Sequence, residues 1–227
     1  MSSASSLPIY PMPFVRIELA VLSIVDGKLS ALLGKRTGMP HIGQWALPGG
    51  VLRIDLDNDL DDAAQRVAME RLGTRLPFLR QLTAVGSKER DPRAPWALSI
   101  AFRAMVPVEA IAPAAGKRIE ALQWRSADEA ATDESLAFDH AALIQTAVEA
   151  TRREIDELQL PFGFLPEQFT LGELQSCCEA LLGHRLDKSS FRRRLDDREV
   201  VEAIPGEMKT GAFRPAQLFR RRLDSSD

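Results

Sequence analysis

Two short stretches of this chain decide its fold: WALPGG at residues 45–50 and RVAMERLG at residues 66–73. The first is a Gly-rich turn, whose backbone can approach a phosphate group closely because glycine carries no side chain. The second has the composition of a helix that ends at Gly73. A Gly-rich turn followed by a charged helix indicates a phosphate-binding segment, and the charges on the helix decide what that segment can do.

The two stretches resemble the signature of the Nudix family, in which the turn leads into a helix that carries Arg-Glu-x-x-Glu-Glu and then glycine. The resemblance implies three glutamates, neighbours at i, i+3 and i+4, that hold magnesium on a pyrophosphate. The matching positions here are Val67, Glu70 and Arg71. One carboxylate is too few for a cation that needs several oxygen ligands, whereas the Arg71 guanidinium suits phosphate. We therefore expect nucleotide binding without hydrolysis, and no metal, cofactor or catalytic residue.

A second cationic motif, RDPR at residues 90–93, precedes a predicted strand over residues 96–106. It resembles a segment of Nudix proteins that handle ADP-ribose, and two arginines held by a rigid Asp-Pro turn suit a diphosphate. Two alternatives remain open: a charged hairpin loop here, and a solvated face with an i,i+4 ion pair on the first helix. His140, within LAFDH at residues 136–140, is predicted to be a core or capping residue. The predicted ligand-binding residues are Gly49, Gly50, Arg66, Glu70, Arg71, Arg90 and Arg93.

With 227 residues, 45% of them hydrophobic, the chain has the size and composition of one large or two modest globular domains. No apolar run approaches the roughly 20 residues of a membrane helix. Residues 1–13 lack the features of a signal peptide, so we expect them to form a flexible lead-in. Adjacent Cys177 and Cys178 fit helix packing in a reducing compartment, so we expect a cytoplasmic protein. The net charge of −3 argues against a generally basic protein, but residues 158–227 are neutral and contain arginine clusters.

Apolar periodicity predicts an α+β domain over residues 14–157. Strands are expected near residues 15–21, 29–33, 79–86, 96–106 and 119–124, and helices over residues 58–72 and 139–158. The Nudix resemblance implies that these elements form an α/β/α sandwich with a mixed sheet. Pro161, Gly163 and Pro166 mark a boundary, so a second domain is expected over residues 158–227.

The second domain has the pattern of a winged helix-turn-helix. TLGE at residues 170–173 is a capping box for a helix that ends at Gly183. Asp187 can cap a second helix over residues 188–198, and two strands, residues 200–204 and 213–219, surround a wing at residues 205–211. Because Phe191 and Leu195 face inward, the opposite side of the second helix is basic and suits the major groove of DNA. The predicted DNA-binding residues are Lys188, Ser189, Arg192, Arg193, Arg194, Lys209 and Arg214. A solvated basic face is the alternative.

A degenerate Nudix domain followed by a winged helix resembles the NrtR family of Nudix-related transcriptional regulators. The resemblance extends over nearly everything after Pro13 and includes FTLGELQ at residues 169–175 and DKSSFRR at residues 187–193. It implies a homodimer on double-stranded operator DNA that represses genes of NAD synthesis or salvage until ADP-ribose or a related nucleotide releases it. Two alternatives remain: a hydrolase of ADP-ribose-like nucleotides with a rearranged metal site, and a regulator that responds to a sugar or other metabolite.

Overall fold

A mixed sheet of seven strands dominates the first part of the computed structural model, which describes residues 12–210 and 215–222. The strands are β1 (Phe14–Val25), β2 (Lys28–Arg36), β3 (Trp45–Ala46), β4 (Gly49–Val51), β5 (Arg80–Ser87), β6 (Ala97–Met105) and β7 (Ile119–Ser126). Central β1 runs parallel to β6 and antiparallel to β2 and β4. Its middle is buried on both faces, as expected for a strand between two layers of helix. The predicted mixed sheet is confirmed.

Helices cover both faces of this sheet: α1 (Leu60–Leu72) on one, α2 (Ala127–Ala130) and α3 (His140–Asp156) on the other. The N-cap of α1 is Asp59, whose side chain accepts from the amide of Asp62. The helix ends at Gly73, which has a left-handed conformation with φ of 69°. The apolar stripe of α1 packs on the sheet with Val67 fully buried, as its spacing predicts. The first part is therefore the expected α/β/α sandwich.

The second part consists of β8 (Phe169–Thr170), α4 (Leu171–Leu182), α5 (Lys188–Arg198), β9 (Val201–Lys209) and β10 (Ala216–Arg221). The predicted capping box is formed, because the Thr170 side chain accepts from the amide of Glu173 and the Glu173 side chain accepts from the amide of Thr170. Asp187 caps α5 by accepting from the amide of Ser190 at 2.8 Å. The three strands form one sheet beside the two helices, which confirms the winged helix-turn-helix.

The wing differs from its prediction. β9 does not stop at Ile204 but continues through Pro205 and Gly206 to Lys209. Between the pairs Ala203–Phe219 and Met208–Gln217 the register shifts, so the extra residues of β9 form a bulge. The Gln217 side chain donates to the carbonyls of Ile204 (2.7 Å) and Glu207 (3.0 Å). The proline therefore lies in a bulge, where no ladder bond from its nitrogen is needed.

The two parts share one apolar core. Phe169, Leu174 and Leu181 of the second part belong to the same buried cluster as Leu143 and Ile144 of α3. Cys177 and Cys178 are both buried, as their predicted packing role requires. Burial raises the pKa of each thiol to about 12. Among the described residues, no helix has the length and apolar character required to cross a membrane.

Candidate functional site

A cleft beside the Gly-rich turn is lined by five arginines from different elements. Their side chains come from β1, the end of β2, α1, the loop before β6 and the segment before β7, and they meet over the turn at residues 47–49. The five are Arg16, Arg36, Arg71, Arg93 and Arg118. The fold therefore concentrates guanidinium groups that are far apart in sequence.

Among the described residues, two of these five arginines form ion pairs with carboxylates behind the cleft wall. Arg16 is paired with Glu18, and Arg93 with Asp91. The other three, Arg36, Arg71 and Arg118, have no carboxylate partner in the ranges that the structure describes. Burial, followed by repulsion from Arg16, lowers the pKa of Arg36 to about 10, so that it is still protonated at neutral pH. The cleft thus has an excess of positive charge and suits an anion with two or more charges.

Arg71 fastens the Gly-rich turn. Its Nε donates to the carbonyl of Gly49 at 2.7 Å, and its Nη1 donates to the carbonyl of Lys117 at 2.6 Å. Burial of the guanidinium lowers its pKa. The remaining nitrogen, Nη2, lies close to Gly50: a Cβ added to this glycine would be 3.7 Å from it. Arg71 therefore reaches the cleft, as predicted, but two of its three nitrogens already bind backbone carbonyls.

Arg66 and Glu70 lie beside the cleft, not in its lining. The Arg66 guanidinium forms a bidentate ion pair with Asp57, at 2.6 and 2.8 Å, and also donates to the carbonyl of Val51 at 2.9 Å. Its Nη1 is 3.3 Å from Glu70 in the i,i+4 arrangement. The ion-pair alternative considered from the sequence therefore describes these two residues. Across the described chain, no three His, Cys, Asp or Glu side chains are grouped to hold a metal ion.

The RDPR segment divides its two arginines between different partners. Arg93 lines the cleft, bonded to the buried Asp91 at 2.8 and 2.5 Å and lying 5.0 Å from the centre of the Phe14 ring. The Arg90 side chain is 6% exposed, lies outside the cleft lining and is paired with Asp139. The predicted pair of phosphate-binding arginines is therefore one lining residue and one structural ion pair.

The two glycines of the turn are required by close packing. A Cβ on Gly49 would lie 1.8 Å from Oε2 of Glu18, and one on Gly50 would lie 2.8 Å from Cγ2 of Val67. Both distances are far below a normal contact. Gly49 lines the cleft, whereas Gly50 packs against α1. Of the seven predicted ligand-binding residues, the cleft lining includes three: Gly49, Arg71 and Arg93.

A buried polar array supports the turn from beneath, and the sequence interpretation missed it. Glu18 accepts from Nε of Arg16 at 2.7 Å, and the amide of Leu47 donates to Nδ1 of His140 at 2.9 Å. With Nδ1 accepting, the neutral His140 carries its proton on Nε2, which is 3.8 Å from Oε2 of Glu18. Burial lowers the pKa of His140 and keeps it neutral. His140 is a core residue, one of its two predicted roles.

The basic face of α5 is exposed while its apolar face is buried. Lys188, Ser189, Arg192 and Arg193 point to solvent, and Phe191 and Leu195 are in the core, 3% and 0% exposed. Arg194 differs from its prediction, because at i+3 from Phe191 it lies towards α3 and donates to the carbonyl of Asp156. Lys209 is paired with Glu173 at 2.5 Å, and Arg214 lies outside the described residues.

A Nudix-type sandwich with an arginine-rich cleft, followed by a winged helix with a basic second helix, defines a DNA-binding protein that carries a Nudix domain. Residues 16–147 match the NUDIX domain, and residues 161–221 match the NrtR DNA-binding winged helix domain. The chain belongs to the NrtR family.

Three known proteins illustrate this relationship. The chain is 35% identical over 218 residues to the ADPR responsive transcriptional repressor NtrR of Acinetobacter baylyi, a match that covers 96% of this chain and 86% of that protein. It is similar to Shewanella oneidensis NrtR complexed with a 27mer DNA, with a TM-score of 0.72, 29% identity and coverage of 92% and 93%. It is also similar to the NUDIX domain of that protein complexed with ADP ribose, with a TM-score of 0.58, 26% identity and coverage of 66% and 99%.

Proposed function

We propose that this protein is a ligand-responsive transcriptional repressor that binds operator DNA through α5 and is released by ADP-ribose or a related nucleotide. The observation that carries the proposal is the cleft in which three of five arginines have no carboxylate partner among the described residues. A diphosphate supplies the missing negative charge, and planar guanidinium groups bind its oxygens in pairs. The relative from Acinetobacter baylyi, named as an ADPR responsive repressor, supports the same assignment.

In the ligand-binding domain, assigned to residues 14–157, Arg36 already donates through Nε and Nη2 to the carbonyl of Pro40. The free donors therefore lie on Nη1 of Arg36, on Arg118 and on Nη2 of Arg71. We assign the diphosphate to these groups and to the backbone of the turn at Gly49. Arg66, Glu70, Arg90 and Gly50 then act through packing and ion pairs that hold the wall of the cleft.

In the DNA-binding domain, assigned to residues 158–227, Arg192 and Arg193 contact base edges in the major groove, and Lys188 and Ser189 contact phosphates. These side chains are exposed on one side of α5, and the three cations have no carboxylate partner among the described residues. A homodimer would place two such helices on a pseudo-palindromic operator in the cytoplasm. The genes that it controls are proposed to be those of NAD synthesis or salvage.

We further propose that the Nudix domain does not hydrolyse its ligand. Val67 is fully buried, Glu70 is paired with Arg66, and Arg71 is bonded to two carbonyls, so the three positions offer one engaged carboxylate to a metal. Incubation with ADP-ribose and magnesium, followed by chromatography for AMP, tests this point. Release of more than one AMP molecule per protein molecule would show turnover and would assign the domain to the hydrolases.

The central test measures DNA binding by fluorescence anisotropy with duplexes selected from a random-sequence library, at several salt concentrations and with ADP-ribose, NAD and sugars added separately. We expect K188A/R192A to weaken binding and to reduce the salt slope by about 1 per recognition helix, for the lost phosphate contact of Lys188. The double variant R75A/R153A has the same charge change and removes two exposed arginines of the first domain, so it is the matched control. Equal affinities and slopes for the two double variants would refute the assignment of α5. Release by a sugar but not by ADP-ribose would change the effector class.

A further inference from the structure

Helix α3 begins at the cleft. Nδ1 of His140, its first residue, accepts from the amide of Leu47 at 2.9 Å, and the N-cap residue Asp139 forms an ion pair with Arg90. Leu47 belongs to the Gly-rich segment and Arg90 to the RDPR segment. Two of the segments that line the cleft are therefore bonded to the start of the same helix.

The other end of α3 is bonded to the DNA-binding domain. Arg194 of α5 donates to the carbonyl of Asp156, the last residue of α3. One turn earlier, Arg152 donates through Nη2 to Asp128 at 2.8 Å and through Nε to the carbonyl of Leu181 at 3.5 Å, near the end of α4. Both helices of the helix-turn-helix therefore contact the last turn of α3.

Between these ends, α3 has the properties of a rigid connection. It has 17 residues, which corresponds to a length of about 25 Å at 1.5 Å per residue. Leu143, Ile144 and Ala147 lie in the same buried cluster as Leu174 and Leu181 of α4. Rigid, closely packed elements of this kind are the usual physical route by which two distant sites influence each other.

We propose that α3 couples the ligand cleft to the recognition helix α5. A ligand that moves the turn or the RDPR segment moves His140 and Asp139 with it, and the helix transfers this displacement to the contacts made by Arg152 and Arg194. The inference rests on the proposed function, because coupling requires that both DNA and ligand bind. By linkage, DNA must weaken ligand binding by the same factor as the ligand weakens DNA binding.

Two variants test this route, R152M and R152M/R194M, with R153M as the control. Arg152 touches neither the cleft nor the exposed face of α5, while exposed Arg153 is its neighbour on the same helix and carries the same charge. The measured quantity is the ratio of the DNA Kd with saturating ADP-ribose to the Kd without it. Because the ratio is taken within each variant, any direct contribution of Arg194 to DNA affinity cancels.

We expect a ratio of roughly 5 to 150 for the wild type and R153M, the ordinary range for coupled sites. R152M should lower it, and R152M/R194M should lower it further, because the double variant removes the polar contacts of α3 with both helices and leaves the apolar contacts in place. ADP-ribose affinity in the absence of DNA should be unchanged in both. Hydrogen exchange adds a second measurement: without DNA, ADP-ribose should change amide exchange at residues 47–49 equally in every variant, but at residues 181–183 less in R152M/R194M than in the wild type and R153M.

The possible failures are distinguishable. A wild-type ratio near one, with DNA and ADP-ribose each bound separately, would contradict the proposed release by ligand. A large wild-type ratio that R152M/R194M retains in full would overturn the route through α3 and leave the proposed function intact. Ligand-induced changes at residues 181–183 that are as large in R152M/R194M as in the wild type would likewise overturn it.

Discussion

Replacement of Glu18 by glutamine should cost stability at neutral pH and remove part of the acid sensitivity of folding. Burial alone would raise the pKa of this carboxyl, but Arg16 and His140 lower it to about 2, from 4.5. A difference of this size corresponds to about 3 kcal/mol of stability. Because the folded pKa is the lower one, this contribution is complete above pH 4.5, is reduced by about 2 kcal/mol at pH 3 and disappears as the pH falls through 2.

The assay is urea unfolding of the wild type and E18Q between pH 7 and pH 3. The difference in unfolding free energy between them should be about 3 kcal/mol at pH 7, where glutamine leaves Arg16 buried without its anion, and should shrink towards pH 3. Carboxyls distant from Glu18 titrate alike in both proteins, so the difference reports Glu18 together with His140, whose pKa is lowered by burial and raised in part by Glu18. E120Q, at an exposed ion pair with Lys35, should change stability by no more than about 0.5 kcal/mol. A difference between wild type and E18Q that stays constant over this range would refute the linkage.

Three further substitutions have definite expected outcomes. G49A places a Cβ 1.8 Å from Glu18, so it should cost roughly 1–3 kcal/mol in urea unfolding and weaken ADP-ribose binding, whereas G163A meets nothing within 4 Å and should do neither. R71M removes both bonds to the carbonyls around the turn, so calorimetry should show ADP-ribose affinity reduced at least about tenfold, while DNA affinity without ligand is retained. D187A removes the cap of α5 and should lower the unfolding free energy by about 1 kcal/mol; an unchanged value would mean that water replaces the cap.

Features that depend on neighbouring residues could be predicted from the sequence. The capping box at Thr170 and the N-cap at Asp187 each need only a side chain and an amide three residues away. The turn at Asp26 and Gly27, both with positive φ, follows from their tolerance of that conformation. Such local patterns are fixed before any long-range packing, and they gave the order of the elements and hence the fold class.

The cleft depended on long-range packing and was only partly predictable. Arg36 is the last residue of β2 and Arg118 directly precedes β7, so antiparallel pairing of these strands brings the two arginines to the same end, and nothing near either residue in the sequence marks it as part of a site. One signal was present: Arg16 and Glu18 are the two charged residues of β1, a strand that is apolar elsewhere except at Ser23. Their burial requires partners, and the structure supplies His140 as a neighbour of Glu18 from a helix far along the chain. The bulge in β9 was not predictable in the same way, because it depends on the register with β10, and the sequence pattern instead predicts a wing that begins at Pro205.

The contact between Gly49 and Glu18 has a consequence for sequence divergence. Since a Cβ at residue 49 would lie 1.8 Å from the Glu18 carboxylate and 2.9 Å from the carbonyl oxygen of Ile17, a relative with a larger residue at position 49 needs a shorter side chain at position 18 and a shift of the β1 backbone beside it. Arg16 would then lose its counter-ion, so the change at position 18 should be accompanied by one at position 16. These three positions should therefore vary as a group across the family and not independently.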